Sequence, residues 1–171
     1  MALNACAATI VCMNLGITTD KIKELLKDFR NAERRFQEEK VGNSIIIDDY
    51  AHHPTEIKVT LEAAKAKYPN KDIIAIFKPN TYSRTKEFTD DFASALSIGD
   101  YVYITNVDSN REREEDYPGV NSNMILDKMT KGKLLLENDI SDLLTHKDNV
   151  FVFMSCASIS HLKEDLISKL K

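Results

Sequence analysis

Four short runs of branched and aromatic residues constrain this chain more than anything else in it. They occupy positions 44–47, 73–77, 101–105 and 150–154. Each is too short for a buried helix and is rich in residues that favour strands. Near-continuous apolar strands, without alternation, are the pattern of strands covered on both faces. The stretches between them carry helical spacing. Ile57, Leu61, Ala64 and Tyr68 recur on one face after Pro54, and Phe88, Phe92, Ala95 and Leu96 do so after Thr85. Pro54 suits the first turn of a helix, where a missing N–H costs nothing. Thr85 is read as the cap of the next helix.

Strands separated by helices of about 12 residues define βαβ units. The expected fold is α/β, a three-layer Rossmann-like and mainly parallel sheet with helices on both faces. Further helices are predicted near 122–131, near 139–146 and at the C-terminus, with a short strand at 133–136. One hairpin is expected near the start, where Gly42-Asn43 separates β-formers at 35–41 from the isoleucine run. A short helical pair precedes it. Its first helix is alanine-rich and stops at Gly16. Its second, capped by Thr19, runs to about Phe29 with Ile22, Leu25, Leu26 and Phe29 on one face. The division follows: a helical segment over 1–33 and an α/β domain over 34–171.

Composition limits the function. The five glycines, Gly16, Gly42, Gly99, Gly119 and Gly132, are never closer than 13 positions. A Walker A loop and a G-x-G-x-x-G loop both need clustered glycines to wrap backbone around phosphate. Any nucleotide must therefore be held by side chains or by another domain. A formal net charge of −4 argues against general nucleic-acid binding. Cys6, Cys12 and Cys156 are odd in number and lack C-x-x-C spacing, the usage of a reducing compartment. The apolar run 5–15 is short of the roughly 20 residues of a membrane span and lacks a basic leader. A cytoplasmic protein without membrane or nucleic-acid partners is expected.

Open parallel sheets bind ligands at the carboxyl ends of their strands. The loops there hold Asp48, Asp49, Tyr50, His52 and His53 after the first run. Lys78, Asn80, Tyr82, Ser83 and Arg84 follow the second, and Asn106, Asp108 and Arg111 the third. Ser155, Cys156 and Ser158 follow the last. Segment 48–56 admits three readings. One is polar recognition, with Asp49 on ribose hydroxyls and His52 or Tyr50 at substrate. Another is a helix entry in which His53 or Asp49 satisfies free N–H groups. The third is metal binding, which the adjacent His52-His53 pair disfavours because neighbouring loop side chains diverge. Arg84 is either a bidentate ligand for carboxylate or phosphate or an exposed helix-start arginine. The run 111–116 reads as a solvated loop, Cys156 as an inert buried thiol, and His146 and His161 as surface residues on helices.

The segment Asp48-Asp49-Tyr50-Ala51-His52-His53-Pro54-Thr55-Glu56 resembles the D-D-Y-[AG]-H-H-P-T-E signature of the alanine-adding branch of the Mur ligase family. Leu3-Asn4-Ala5 is similar to the end of that family's N-x-x-N-A helix, and Arg34-Arg35-Phe36 to its R-R-F. Residues 77–85 are similar to its F-Q-P-H-[TR]-[YF]-[ST]-R-T. The resemblance implies the C-terminal, amino-acid-binding domain of a three-domain enzyme, preceded by the last helices of a central ATPase domain. Such an enzyme joins L-alanine to UDP-N-acetylmuramic acid in peptidoglycan synthesis, through an acyl phosphate made from ATP with Mg2+. It implies ATP binding by Asn4, Arg35, Asp49 and Tyr50, and amino-acid binding by His52, Asn80 and Arg84. No catalytic residue and no metal ligand is assigned to this chain, which by itself is expected to be inactive.

The chain departs from the family at three places. Lys78 and Asn80 stand where the family has Gln and His, and Ser155-Cys156-Ala157-Ser158-Ile159 stands for its G-A-G-D-I. Two rival readings stay open at this point. One is a diverged, non-catalytic binding homologue. The other is a metal-dependent hydrolase built on Asp48, Asp49, His52 and His53.

Overall fold

A computed structural model of the chain describes residues 2–27 and 33–171. It divides into two compact units, Met1–Glu33 and Arg34–Lys171.

The first unit is a helical pair, α1 (Ala2–Asn14) and α2 (Thr19–Lys27). Gly16 ends α1 in the left-handed region at φ +84°. The Gly16 N–H then donates to Met13 O at 3.0 Å and the Ile17 N–H to Cys12 O at 3.0 Å, which satisfies the last carbonyls. The cap of α2 is Thr18 rather than Thr19, since Thr18 Oγ1 accepts the Lys21 N–H at 3.4 Å. Ile22 is buried, but Leu25 and Leu26 are exposed. Two short helices can cover only one face of each other, so the expected apolar stripe is only partly covered. Phe29 lies outside the described residues.

The second unit is built on a six-stranded sheet. Its strands are β1 (Gln37–Val41), β2 (Ser44–Asp49), β3 (Ile73–Phe77), β4 (Tyr101–Ile104), β5 (Lys133–Leu134) and β6 (Val150–Met154). The spatial order is β1-β2-β6-β3-β4-β5. Only β1 and β2 pair antiparallel, joined by a two-residue turn in which Gly42 takes φ +60°. All other pairs are parallel. This is the expected α/β sheet with its early hairpin.

Successive strand residues divide between two cores, as period two requires. Ile45, Ile47, Ala75, Phe77, Val152 and Met154 face α3 (Pro54–Lys67) and α5 (Thr89–Leu96), through Ile57, Leu61, Phe92 and Leu96. Ile46, Ile74, Ile76, Phe151 and Phe153 face the other layer. There α7 (Ser141–Leu144) and α8 (Ser160–Leu170) supply Leu143, Leu162 and Leu166. Three layers result, and the sheet's central strands are buried on both faces.

Three local expectations are corrected. The helix after β3 is two helices, α4 (Tyr82–Glu87) and α5, broken at Phe88. Thr85 lies inside α4 and does not cap it; its hydroxyl donates back to Thr81 O at 2.8 Å. The helix expected near 122–131 is a single α-turn, α6 (Asn123–Leu126). Lys128 and Met129 continue it with bonds to Ile125 and Leu126, three residues back, a tighter 3₁₀ spacing. The helix expected near 139–146 shortens to α7 by the same tightening, as Thr145 and His146 donate to Asp142 and Leu143. His146 therefore sits beyond the helix. It is half-buried against Tyr103, whose hydroxyl is 2.8 Å from its Nε2.

Candidate functional site

Because β2, β6, β3 and β4 run parallel, their carboxyl ends meet on one edge of the sheet. A cleft of about 380 Å³ opens there. It is lined by Tyr50 and His52 from the loop after β2, and by Asn80, Thr81 and Arg84 at the start of α4. Asp108, Asn110 and Arg111 from the loop after β4 and residues 156–158 after β6 complete it. The structure thus brings together Tyr50, His52, Asn80 and Arg84. Asp49 and Arg35 lie outside this lining, and Asn4 is on α1 in the other unit.

The end of β2 carries two carboxylates with different duties. Asp48 is buried and its Oδ1 is 3.2 Å from Arg34 Nε, while Oδ2 accepts from Lys163 Nζ on α8. Arg34 also donates to Ser155 O, so one guanidinium ties β2 to the loop after β6. Asp49 accepts the Phe36 N–H at 2.7 Å and the Ala51 N–H at 2.8 Å. Burial pushes the Asp49 carboxyl above its usual range, against those two N–H groups and the charge of Arg35. Arg34 and Phe36 both adopt the left-handed region, at φ +55° and +50°. That conformation costs about 1–2 kcal/mol per residue. It is held by the Tyr50 N–H on Arg34 O at 2.7 Å and by the Asp49 contact. Arg35 is exposed, with its guanidinium 5.2 Å from the Tyr50 ring centroid.

His53 is the N-cap of α3. Its Nδ1 accepts the Thr55 N–H at 3.3 Å, and Glu56 accepts the His53 N–H at 3.2 Å in return. The helix-entry reading is correct for this residue. His52 is positioned separately, with Nδ1 3.0 Å from Tyr50 O and its N–H donating to Glu56 at 3.0 Å. Burial pushes Glu56 up, but the N–H groups of His52 and His53 and the His52 charge outweigh it and hold the carboxyl below its usual range. Asp48 serves Arg34 and Lys163, Asp49 serves backbone N–H groups, and His53 serves α3. With His52 turned to Tyr50 O, the four side chains do not converge as a hydrolase metal site would require. Among the described residues, no three His, Cys, Asp or Glu side chains form a metal-holding group.

The loop after β3 begins with Lys78, which stands where the family pattern has Gln. Lys78 is buried, with Nζ 2.8 Å from Asp108 and 2.8 Å from Glu137. Burial pulls the lysine down, but the bonds and charges of the two carboxylates outweigh it and keep its value raised. Glu137 in turn lies 2.8 Å from His161 Nε2. Ser155 is also buried, and its hydroxyl donates to Lys78 O at 3.0 Å and accepts the Ala157 N–H at 3.0 Å.

Two loop readings change. The run 111–116 is not simply solvated: Arg111 lines the cleft, and Glu112 accepts both the N–H and the hydroxyl of Ser83. Burial raises Glu112, but the Ser83 bonds and the Tyr82 and Tyr117 donors outweigh it and hold the carboxyl low. Cys156 is half-buried and lines the cleft, so it is not a core thiol. Burial pushes its thiol up against the nearby charges of Arg84, Arg111 and Arg34, which disfavours the nucleophilic thiolate.

A parallel α/β domain with a cationic cleft at its carboxyl edge is the class that fold and site define. The profile of the Mur ligase, glutamate ligase domain, matches residues 34–156. The UDP-N-acetylmuramate–L-alanine ligase of Lactococcus lactis subsp. cremoris is 43% identical over 158 residues, 92% of this chain and 35% of that protein. The solved UDP-N-acetylmuramate-alanine ligase of Thermotoga maritima superposes with a TM-score of 0.75 at 28% identity, covering 98% of this chain and 37% of that one. MurF ligase of Thermotoga maritima, solved in complex with ADP, gives 0.71 at 25% identity, covering 99% and 38%. The chain belongs to the Mur ligase family. It spans little more than a third of the length of these relatives.

Proposed function

We propose that this chain is the C-terminal part of an ATP-dependent ligase that joins L-alanine to UDP-N-acetylmuramic acid. On this reading residues 34–171 bind the amino acid and complete the ATP site. Residues 1–33 are the last helices of the central ATPase domain. The carrying observation is the cleft that gathers Tyr50, His52, Asn80 and Arg84, in a chain 43% identical to such a ligase.

The lactyl carboxylate takes the γ-phosphoryl group of ATP and releases ADP, the neutral amine attacks the acyl carbon, and inorganic phosphate and the amine's proton leave as the amide forms. The residues here position and shield. The Arg84 fork binds the amino-acid carboxylate, a match of planar geometry and charge. Asn80 and His52 hydrogen-bond at the same ligand. Arg35 and Asp49 meet the ribose and phosphates of ATP, with Asp49 aimed by its two backbone donors, and Tyr50 lies near the adenine. Asn4 contacts adenine. An acyl phosphate hydrolyses in water, so the cleft must close against the rest of the enzyme. Mg2+ would be held by the ATP phosphates and mainly by the central domain, where it would offset the charge of the transferring phosphoryl group. Substrates of this kind place the enzyme in the cytoplasm.

The test is L-alanine-dependent phosphate release by the complete ligase carrying this segment. Activity lost in the Arg84→Ala variant at low L-alanine, and recovered at high, supports the assignment. Ligation by the 171-residue chain alone would overturn it.

A further inference from the structure

We propose that Asp108 is the ammonium-binding group of the cleft and that Lys78 is the residue that positions it. This rests on the reading of the cleft as the amino-acid site. Asp108 is the one carboxylate among the described residues lining the cleft, beside the cations Arg84 and Arg111. Its side chain is 63% exposed, yet it is fixed at two points. Oδ2 lies 2.8 Å from Lys78 Nζ, and the Asp108 N–H donates to Pro79 O at 3.1 Å.

The charge arithmetic makes this a binding group rather than a buried structural pair. The Lys78 side chain is 4% exposed and faces two carboxylates, Asp108 and Glu137. One cation against two anions leaves the cluster with one surplus negative charge, and the exposed member is Asp108. Glu137 directs its other oxygen to His161. The cleft therefore offers guanidinium groups and a carboxylate to the same ligand. A phosphate or a simple carboxylate would gain from Arg84 and Arg111 and be repelled by Asp108. An α-amino acid zwitterion has a charge for each, and its two charged groups share one carbon. Lys78 restrains the Asp108 carboxylate before the ligand arrives, which lowers the ordering cost of binding.

The test uses the complete ligase. Asp108→Asn keeps an oxygen to accept from Lys78 and removes only the charge. It should raise KM for L-alanine about tenfold, the effect of losing one charge-assisted hydrogen bond, and leave KM for ATP within about twofold. Propionate, which has the carboxylate without the amine, should inhibit the variant at least as well as it inhibits the parent, because the charge that repels it is gone. Lys78→Met should raise KM for L-alanine by more than it weakens propionate, and Lys78→Arg should recover part of the loss. If Lys78→Met does not fold, Asp108→Asn decides alone. An unchanged L-alanine KM in Asp108→Asn, or an equal loss of propionate inhibition, overturns the proposal. Arg84→Ala separates the two levels. If it weakens propionate while Asp108→Asn leaves L-alanine alone, only the Asp108 role falls. If it leaves propionate unaffected, the cleft is not the amino-acid site.

Discussion

The Glu112 carboxylate accepts the Ser83 N–H at 3.0 Å and the Ser83 hydroxyl besides. A loop residue thus supplies the N-terminal cap that α4 lacks from its own sequence, since Thr81 makes no side-chain cap bond. The same bond fixes the turn that carries Arg84, and stacking of Tyr82 on Tyr117 at 5.9 Å reinforces it. Glu112→Ala is expected to cost about 1 kcal/mol, the usual value of a lost cap. That corresponds to a fall of about 3–5 °C in the melting temperature of a domain of this size. In the complete ligase it should also raise KM for L-alanine several-fold, because the Arg84 turn loosens. A melting temperature that does not change would show that the cap is not coupled to folding.

Arg84 itself gives the sharpest kinetic split. Arg84→Ala in the complete enzyme should raise KM for L-alanine about 10- to 100-fold, the range for losing hydrogen bonds to a charged group. KM for ATP should move little. Arg84→Lys should recover only part of the loss, because a point charge cannot replace a planar fork. Equal effects on both substrates would argue that Arg84 supports the loop rather than the ligand.

Much of this architecture can be read along the chain, and the limits are physical. The strands announced themselves because both faces of β2, β3 and β6 are buried, which demands unbroken apolar runs. Pro54 and the hairpin turn at Gly42 are local chemistry and read correctly. The start of α4 did not, because its cap comes from Glu112 in a distant loop. The role of Lys78 is not legible locally, because its partners Asp108 and Glu137 are 30 and 59 positions away in the sequence. In the R-R-F segment, Arg34 serves a structural purpose that sequence similarity does not separate from its neighbour, since both arginines flank the Tyr50 ring. Cys156 follows an apolar strand and so looked buried, yet the strand ends at the cleft.

The helix entry at α3 should show in the pH dependence of stability. The Glu56 carboxyl is held below its unfolded value of 4.5 by the His52 and His53 N–H groups and the His52 charge, which outweigh its burial. A carboxyl lowered on folding stabilises the native state above its unfolded value and loses that contribution as pH falls through the native one. Glu56→Gln keeps an acceptor at this position but removes the charge. Thermal unfolding should therefore find the variant less stable than the parent near pH 7, with the gap closing below about pH 4.5. A gap that persists unchanged at low pH would mean that the charge is not the stabilising element.

The strongest coupling in the second unit should lie around Asp48, which is buried between Arg34 and Lys163. A buried carboxylate with two cations tolerates the loss of one, and both cations retain partial solvent access, with side-chain exposures of 25% and 23%. Lys163→Met and Arg34→Met are each expected to cost about 1–2 kcal/mol, below the 3–5 of a fully buried pair broken outright. Together they leave Asp48 an unpaired buried anion. The double variant should thus be destabilised by more than the sum of the two, with a coupling of about 1 kcal/mol or more in denaturant unfolding. Asp48→Asn in the double variant should then recover stability, because it removes the charge that was stranded. Strict additivity of the two substitutions would mean that Asp48 is not shared between them.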